Sequence, residues 1–574
     1  MIRRPCSGDV APRTLGEGGL VSAPMSLVDE PVGKPAEPSP DAPPDECSTA
    51  PRHVVVIGLA AALLGVALRV ASWSPMWLDE ALTVSIARLP LFGGAADGSA
   101  TGATIFEALR HDGHPPLYYV LLHGWMEIFG SSNLAIRSLS GLFGLLCLPL
   151  AFVIGRRRGG TLLGWIAVAV VSLSPFAVRY SDEARMYSLV MALVFVGWLL
   201  VDDILRLRRA TPLRLIALSV VTAMLLYTQY WGLWIAGAVG LLALWFAVRG
   251  ADAALRTSAR RLVLALGAAL LLFLPWLPTM LYQSAHTGTP WASPMRPTAM
   301  AAWTLCTFAL GDYADAALFA SVLVVMILLA LFGFGRSTRS IEIRFRPRSQ
   351  FLTEGVVILA VIGLSTLVSF LAGAAYAPRY AAVYFPLVAL LVAGGVTRFL
   401  GTRLRLVVLL VVLLPMLGGS VLSSRETRSQ SRQIVDAIAA EAGPFRDILV
   451  VCPDQLGPAI SRELESRPSG PLNLTPISYP DRGDLRFVDW VDYQQRNDAA
   501  DPSAFASEVL ALAAQAPGSN IFLVWNGEYR TFDGDCEAIT SVLGSASEGI
   551  ELVQSDSSAF ERASLIKYRP RVLE

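Results

Sequence analysis

The stretch "MWLDEALTVS" at residues 76–85 places two adjacent carboxylates, Asp79 and Glu80, shortly after a long apolar segment. Charged side chains beside a membrane are costly unless they face water or have a task, so this pair indicates a functional site. There is a local alternative, because an aspartate ahead of the helical pattern "EALTVSIARL" could cap free backbone N–H groups. The positions of the other polar motifs bear on this choice.

The composition is typical of a membrane protein with many spans. Of the 574 residues, 54% are hydrophobic and 16% are charged, which is too apolar for a soluble globule of this length. The formal net charge is zero and no basic tract accompanies an aromatic-rich sheet pattern, so we expect no nucleic-acid partner. Lysine occurs only at Lys34 and Lys567, a bias typical of GC-rich bacterial genomes, so we expect a bacterial plasma membrane.

The first part of the chain, residues 1–50, is rich in proline, alanine and acidic residues, as in "PAEPSPDAPPDE". Such a segment cannot bury enough apolar surface to offset the entropy lost on ordering, so it predicts a disordered tail. It has no apolar core with a cleavage site, which argues against a signal peptide. We therefore expect the first apolar segment to direct membrane insertion, with the tail in the cytoplasm.

Residues 51–425 contain about eleven apolar segments long enough to cross ~30 Å of hydrocarbon. They lie near residues 53–72, 134–154, 161–177, 187–205, 213–228, 231–248, 262–282, 316–335, 352–374, 380–397 and 405–422. Arginine clusters fall at every second junction, at residues 156–158, 206–209, 249–261, 336–348 and 398–405. Because positive loops stay inside, these junctions are predicted to be cytoplasmic and the others to face outward.

One further segment, "HPPLYYVLLHGWMEIFG" at residues 114–130, resembles a short span but opens with two prolines and carries His123 and Glu127. If it crossed the membrane, the cluster at 156–158 would lie outside. We therefore predict an amphipathic helix in the outer interface. This choice places Asp79, Glu80, His114 and the motifs "VRYSDEARMY" (178–187) and "YAPRY" (376–380) on the outer side.

The last part of the chain, residues 426–574, has strand and helix patterns and predicts a small extracytoplasmic α/β domain. It has no glycine-rich phosphate-binding motif. The six cysteines of the chain show no metal-ligand spacing. A disulfide between Cys452 and Cys536 is left open, since it requires an oxidising compartment.

The other outer motifs each have an ordinary interpretation. Asp182, Glu183 and Arg185 in "RYSDEARMYS" could form a solvated turn with internal ion pairs. Arg379 could be an interfacial anchor that reaches to water, and His114 a plain loop residue. Their convergence on one face of the membrane favours a common site over these separate interpretations.

The ordered motifs "WLDEA", "HPPLYY", "YSDEARMYSL" and "APRYAAVYFPLVAL" resemble the GT-C fold glycosyltransferases, in particular the protein O-mannosyltransferase and aminoarabinose-transferase type group. The resemblance covers roughly residues 50–425. It implies a mostly α-helical membrane enzyme that transfers a sugar from a polyprenyl-phosphate donor to an acceptor hydroxyl, with inversion.

The resemblance also implies roles for individual residues. Asp79 would be the general base, and Glu80 would orient the acceptor or a cationic partner. Arg379 would bind the donor phosphate, with Arg185 and His114 as second candidates, while Glu183 would hold Arg185 in place.

Several points stay open at this stage. Mannose is the expected sugar and arabinofuranose the next candidate, while the acceptor is a protein, a lipid or an envelope glycan. No cofactor is expected; adjacent carboxylates could hold a divalent metal, but no complete ligand set is visible. The competing classes are a transporter or flippase of lipid-linked precursors, which would carry charges at mid-span, and a membrane-anchored binding module.

Overall fold

A computed structural model describes residues 50–70, 73–93, 104–287, 295–313, 315–337, 340–343, 350–372, 376–532 and 534–570. All of these residues belong to one compact unit, Asp45–Glu574. The predicted tail lies outside the described residues except for Ala50. The described chain is mostly helical with a small sheet region, as the sequence predicts.

The described part of the chain before residue 430 is built mainly from helices. They are α1 Arg52–Leu68, α2 Leu78–Ala87, α3 Ile105–Asp112, α4 Leu117–Phe129, α5 Asn133–Leu173, α6 Pro175–Ser181, α7 Tyr187–Leu205, α8 Pro212–Leu226, α9 Gly232–Arg249, α10 Ala253–Phe273, α11 Leu277–His286, α12 Pro297–Ala309, α13 Ala316–Phe332, α14 Leu352–Ala372, α15 Phe385–Thr397 and α16 Thr402–Arg425. A short antiparallel hairpin, β1 Gly333–Ser337 and β2 Ser340–Ile343, follows α13.

Each predicted span coincides with a helix, but the count of about eleven is not confirmed. Among the described residues, five helices are long and apolar enough to cross a membrane: Asn133–Leu173, Tyr187–Leu205, Gly232–Arg249, Ala253–His286 and Thr402–Arg425. Shorter apolar helices of 10–17 residues include Arg52–Leu68, Pro212–Leu226 and Ala316–Phe332. Large apolar side chains stay exposed on several helices, including Leu63, Leu264 and Leu359, as expected where lipid covers them.

Helix α5 joins two predicted spans in one element of 41 residues. The helix is broken inside at Gly159 and Gly160, directly after the arginine cluster at 156–158. Gly160 has φ of 71°, a left-handed conformation that residues with a side chain rarely adopt. The break therefore lies where the sequence predicts a junction between two spans.

Close helix packing forms the core around α5, which contacts α1, α7 and α15. Helices α13 and α15 also approach closely, because a Cβ atom at Gly395 would lie 2.1 Å from the Met326 carbonyl oxygen. Small residues at helix crossings permit such short distances in membrane proteins.

The C-terminal part contains a five-stranded sheet in the order β4–β3–β5–β7–β6. The strands are β3 Asp447–Cys452, β4 Leu474–Ser478, β5 Ile521–Trp525, β6 Ser547–Val553 and β7 Ser564–Pro570. Strand β3 pairs in parallel with β4 and β5, while β7 pairs antiparallel with β5 and β6. The helices of this part are α17 Ser431–Glu441, α18 Gly457–Glu465, α19 Tyr493–Asp498, α20 Pro502–Ala514 and α21 Asp535–Ala546.

Cys452 at the end of β3 and Cys536 in α21 form a disulfide. The bond resolves the pairing that the sequence leaves open. It joins the sheet to the last helix of the chain.

Candidate active site

A cavity of about 520 Å³ lies between the helical part and the C-terminal part. Of the predicted site residues, Asp79, Glu183 and Arg379 line it. Glu80, Arg185 and His114 do not, although all of them connect to Asp79 or to its helix. The structure therefore brings these motifs together, with some of their residues in the cavity wall and the others in a layer behind it.

Asp79 lies in the first turn of α2 and its carboxylate interacts with cations. Its Oδ2 atom is 3.2 Å from Nη1 of Arg379 and 3.7 Å from Nη2 of Arg185. The helix begins at Leu78, with Trp77 at the capping position. The interpretation of Asp79 as the helix cap is therefore wrong, because the helix starts before it.

Arg379 reaches the cavity from a 3-10 turn, Pro378–Val383, that precedes α15. Its guanidinium carbon is 6.0 Å from the ring centroid of Trp77, within range of a cation–π contact. The side chain is 21% exposed, against 3% for Arg185. Arg379 is thus the more accessible of the two cations next to Asp79.

Arg185 is held behind Asp79 by neutral groups. It donates to Thr83 Oγ1 at 2.8 Å, to the Tyr119 hydroxyl at 3.3 Å and to His114 Nε2 at 2.9 Å. A guanidinium can only donate, so Nε2 accepts and the proton of a neutral His114 ring is on Nδ1. That nitrogen is 2.8 Å from Asp112 Oδ2, which completes a chain from Asp112 to Asp79.

Glu80 is fully buried and pairs with two arginines that the sequence analysis does not single out. Its two oxygens accept from Arg137 at 2.8 and 2.7 Å, and Arg428 is 3.4 Å away. The Ala184 N–H donates to it at 2.9 Å. Burial opposes the charge of Glu80, but Arg137 and Arg428 outweigh it and lower its pKa to about 2.

These contacts bear on the two roles that the resemblance implies for Glu80, which are to orient the acceptor or to orient a cationic partner. The side chain has no exposed surface and does not line the cavity, because its oxygens are directed at buried guanidinium groups. The contacts of Glu80 with Arg137 and Arg428 match the second role, in which Glu80 orients a cationic partner.

Glu183 also has a different partner from the expected one. Its Oε2 is 3.2 Å from Nε of Arg179, which in turn pairs with Glu426. Within the described residues, the Glu183 and Arg185 side chains form no hydrogen bond or ion pair with each other, and the Arg185 backbone N–H donates to the Glu183 carbonyl. The cation that Glu183 holds is therefore Arg179, which lines the same cavity.

Arg137 and Arg428 are the main site-forming residues that sequence reasoning misses. Arg137 lies near the start of an apolar segment, where an ionisable side chain is itself a signal of function. Arg428 follows the last predicted span and resembles an ordinary flanking residue, so no local signal marks it. Both are buried against Glu80, which is distant from each of them in sequence.

Within the described residues, no three or more histidine, cysteine, aspartate or glutamate side chains are grouped to hold a metal ion. The described residues therefore provide no ligand set for the divalent ion that the two adjacent carboxylates suggest. Asp79 and Glu80 diverge, one toward the cavity and one into the core.

The fold is that of the GT-C glycosyltransferases, which confirms the resemblance at the level of the fold. The chain is similar to the crystal structure of ArnT from Cupriavidus metallidurans in the apo state, with 13% identity, a TM-score of 0.54, and coverage of 89% of this chain and 97% of ArnT. The ArnT structure bound to undecaprenyl phosphate gives 14% identity, a TM-score of 0.53, and coverage of 90% and 98%. No protein-family model and no curated protein matches the sequence.

Proposed function

We propose that the chain is a membrane glycosyltransferase that moves a sugar from a polyprenyl-phosphate donor to an acceptor hydroxyl on the outer face of the membrane. The observation that carries this proposal is the Asp79 carboxylate in a cavity, 3.2 Å from the Arg379 guanidinium. The undecaprenyl phosphate bound by ArnT, whose fold this chain shares, supports a lipid phosphate as the leaving group.

In the proposed reaction, Asp79 takes the proton of the acceptor hydroxyl while that oxygen attacks the anomeric carbon. The bond from this carbon to the phosphate oxygen breaks on the opposite side, so the configuration inverts and polyprenyl phosphate leaves with the electron pair. A general base placed in this way contributes ~10²–10⁴-fold to the rate.

Arg379 is proposed to bind the donor phosphate. A planar guanidinium can bond two phosphate oxygens at once and stabilises the charge that develops on the leaving group. Because Arg379 also contacts Asp79, a phosphate would compete for the same guanidinium. Donor binding would then free the carboxylate to accept a proton.

The layer behind the cavity is proposed to position these two residues. Arg185 and His114 act on Asp79 rather than on the phosphate, because neither lines the cavity. Glu183 keeps Arg179 at the cavity wall, and Glu80 holds Arg137 and Arg428 in the core.

The finer identity of the substrates is also a proposal. Mannose is the first candidate for the sugar and arabinofuranose the second. The transporter alternative predicts movement of an intact lipid-linked precursor with no bond broken, so a sugar-transfer assay separates it from the enzyme.

Arg379→Lys tests the donor site. We expect sugar transfer to stay impaired by ~10-fold or more, since an ammonium is a point charge and cannot replace the two-pronged contact. Transfer from polyprenyl-phosphate mannose and polyprenyl-phosphate arabinofuranose should be measured with purified full-length protein in liposomes. The matched control is Arg88→Lys, whose surface pair with Glu465 lies outside the cavity. Near-normal transfer by Arg379→Lys would remove Arg379 from the donor site.

The proposed topology has the N-terminus in the cytoplasm and the C-terminal part outside, and it can be tested by labelling intact cells. Ser507 on α20 and Thr257 in the arginine-rich junction 249–261 are both exposed. A membrane-impermeant maleimide should label Ser507→Cys and leave Thr257→Cys unlabelled. Labelling of the unsubstituted protein gives the background that is subtracted from both. The reverse pattern would contradict the topology.

A further inference from the structure

The cavity has a second wall that belongs to the C-terminal part and that the proposed reaction does not yet use. We call this wall the roof; it consists of Gln455, Trp490, Tyr529, Phe560 and Glu561. The opposite wall comes from the helical part and includes Phe176 and Thr307.

The roof touches α2 at the two residues before Asp79. Oε1 of Glu561 accepts from the Leu78 N–H at 2.9 Å. The ring of Phe560 packs edge-on against Trp77, with 4.9 Å between the centroids. A ligand hydroxyl that reaches Asp79 therefore lies next to the roof.

The roof is fixed to the helical part by contacts outside the cavity. The Arg428 carbonyl accepts from the backbone N–H of the roof residue Glu561 at 2.9 Å, and the Arg428 N–H donates to Ser74 Oγ at 2.6 Å. The backbone N–H of Trp490 donates to the His111 carbonyl at 3.1 Å. Asp489 is 2.9 Å from Nδ1 of the same histidine. These contacts join the loops that carry roof residues to the elements around the site.

We propose that the roof is the acceptor subsite and that it binds a sugar residue of a glycan. This proposal rests on the proposed glycosyl transfer. The lipid of the donor stays in the bilayer, so the donor is expected to use the wall made by the helices. The acceptor then occupies the wall on the other side.

The roof has the mixed chemistry that a sugar ring requires. Trp490 and Tyr529 offer aromatic faces to the apolar C–H faces of a sugar. Gln455, whose Nε2 donates to the Tyr493 hydroxyl at 3.1 Å, offers its side-chain oxygen as an acceptor for hydroxyl groups. The Tyr529 hydroxyl has no hydrogen-bond partner among the described residues. A few polar groups placed among apolar ones are typical of ligand sites.

Glu561 adds a further polar group. The residue is 6% exposed, and its buried Oε2 has no hydrogen-bond partner within the described chain. Burial, together with the charges of Asp79 and Glu80, raises the pKa of Glu561 to about 8. Near neutral pH this carboxyl is mostly protonated and can donate as well as accept a hydrogen bond.

The architecture of the roof favours a glycan over a peptide. Extended peptides commonly bind by adding a strand to the edge of a sheet. The edge strands here are β4 and β6, and the roof residues instead lie in loops and a short turn between elements. The roof therefore presents side chains and no strand edge.

The test uses purified full-length protein in liposomes with polyprenyl-phosphate mannose or polyprenyl-phosphate arabinofuranose as donor. The acceptors are a mannose trisaccharide, an arabinofuranose trisaccharide and a decapeptide that contains serine and threonine. Trp490→Ala removes a ring. Tyr529→Phe removes only a hydroxyl that has no hydrogen-bond partner among the described residues, so this variant is expected to fold normally. Phe445→Ala, an exposed aromatic residue outside the cavity, is the matched control.

We expect one of the trisaccharides to be the acceptor. Its KM should rise about tenfold in Trp490→Ala, because roughly one ring contact is lost, and severalfold in Tyr529→Phe, because roughly one hydrogen bond is lost. The KM for the donor should change less than twofold. An unchanged trisaccharide KM in both variants, or a peptide that is the better acceptor, would overturn the glycan subsite while leaving glycosyl transfer in place.

A wild-type protein that transfers no sugar from either donor would instead count against the proposed function. Binding of the trisaccharides without donor, measured by calorimetry, then decides the subsite alone. Binding that weakens about tenfold in Trp490→Ala supports the subsite, and the absence of binding to the wild type overturns it.

Discussion

Asp79→Asn should leave the protein folded and membrane-inserted while lowering sugar transfer by ~10²-fold or more. The amide is nearly identical in volume to the carboxylate but cannot take up the proton of an acceptor hydroxyl. It also weakens the attraction to Arg379 and Arg185, which lie 3.2 and 3.7 Å from Asp79 Oδ2. The measurement is the rate of transfer from a polyprenyl-phosphate sugar, normalised to folded protein.

The matched control for this substitution is Asp312→Asn. Asp312 lines the same cavity, is exposed and accepts from the Trp303 indole N–H at 2.9 Å. Asparagine can still accept that hydrogen bond, so we expect activity within about twofold of the wild type. If Asp79→Asn retains most of its activity, Asp79 is not the base and the proposed mechanism fails.

Glu80→Gln should have the largest effect on stability. It leaves Arg137 and Arg428 buried with much of their charge uncompensated, and breaking a buried pair in this way costs about 3–5 kcal/mol. We expect a lower unfolding midpoint in detergent and less protein in the membrane. The comparison variant is Glu465→Gln, which breaks an exposed pair with Arg88 and should change stability by about 0–1 kcal/mol.

The outcome of Glu80→Gln also separates two roles for the residue. Reduced stability with substantial activity per folded molecule fits a positioning role in the core. A variant as stable as the wild type but inactive would instead indicate that Glu80 takes part directly in the reaction, which its burial in the structure does not predict.

Much of the helical framework could be predicted because membrane helices leave a long apolar signal. All the predicted spans coincide with helices, and even the break at Gly159 and Gly160 falls at a predicted junction. The number of true crossings could not be predicted in the same way, because apolar run length does not fix where a helix begins and ends. Strand β4 has a weak sequence signal, since "LTPIS" is short and contains a proline.

The candidate site was predicted in part. Asp79 and Arg379 belong to local motifs, and the structure places them 3.2 Å apart across 300 positions of sequence. Arg428 and Glu561 have no such motif, because their importance arises only from where the C-terminal part meets α2. The position of Glu80 could not be inferred either, since neighbouring residues on a helix point about 100° apart and one of two adjacent acids can face the core.

The most direct test of the central claim is the fate of the labelled sugar of a polyprenyl-phosphate donor in liposomes that contain the purified wild-type protein. We expect the label to leave the lipid phosphate and to appear on an acceptor hydroxyl with inverted anomeric configuration. Recovery of the intact lipid-linked sugar on the other side of the bilayer, with no bond broken, would contradict this expectation and support a transporter.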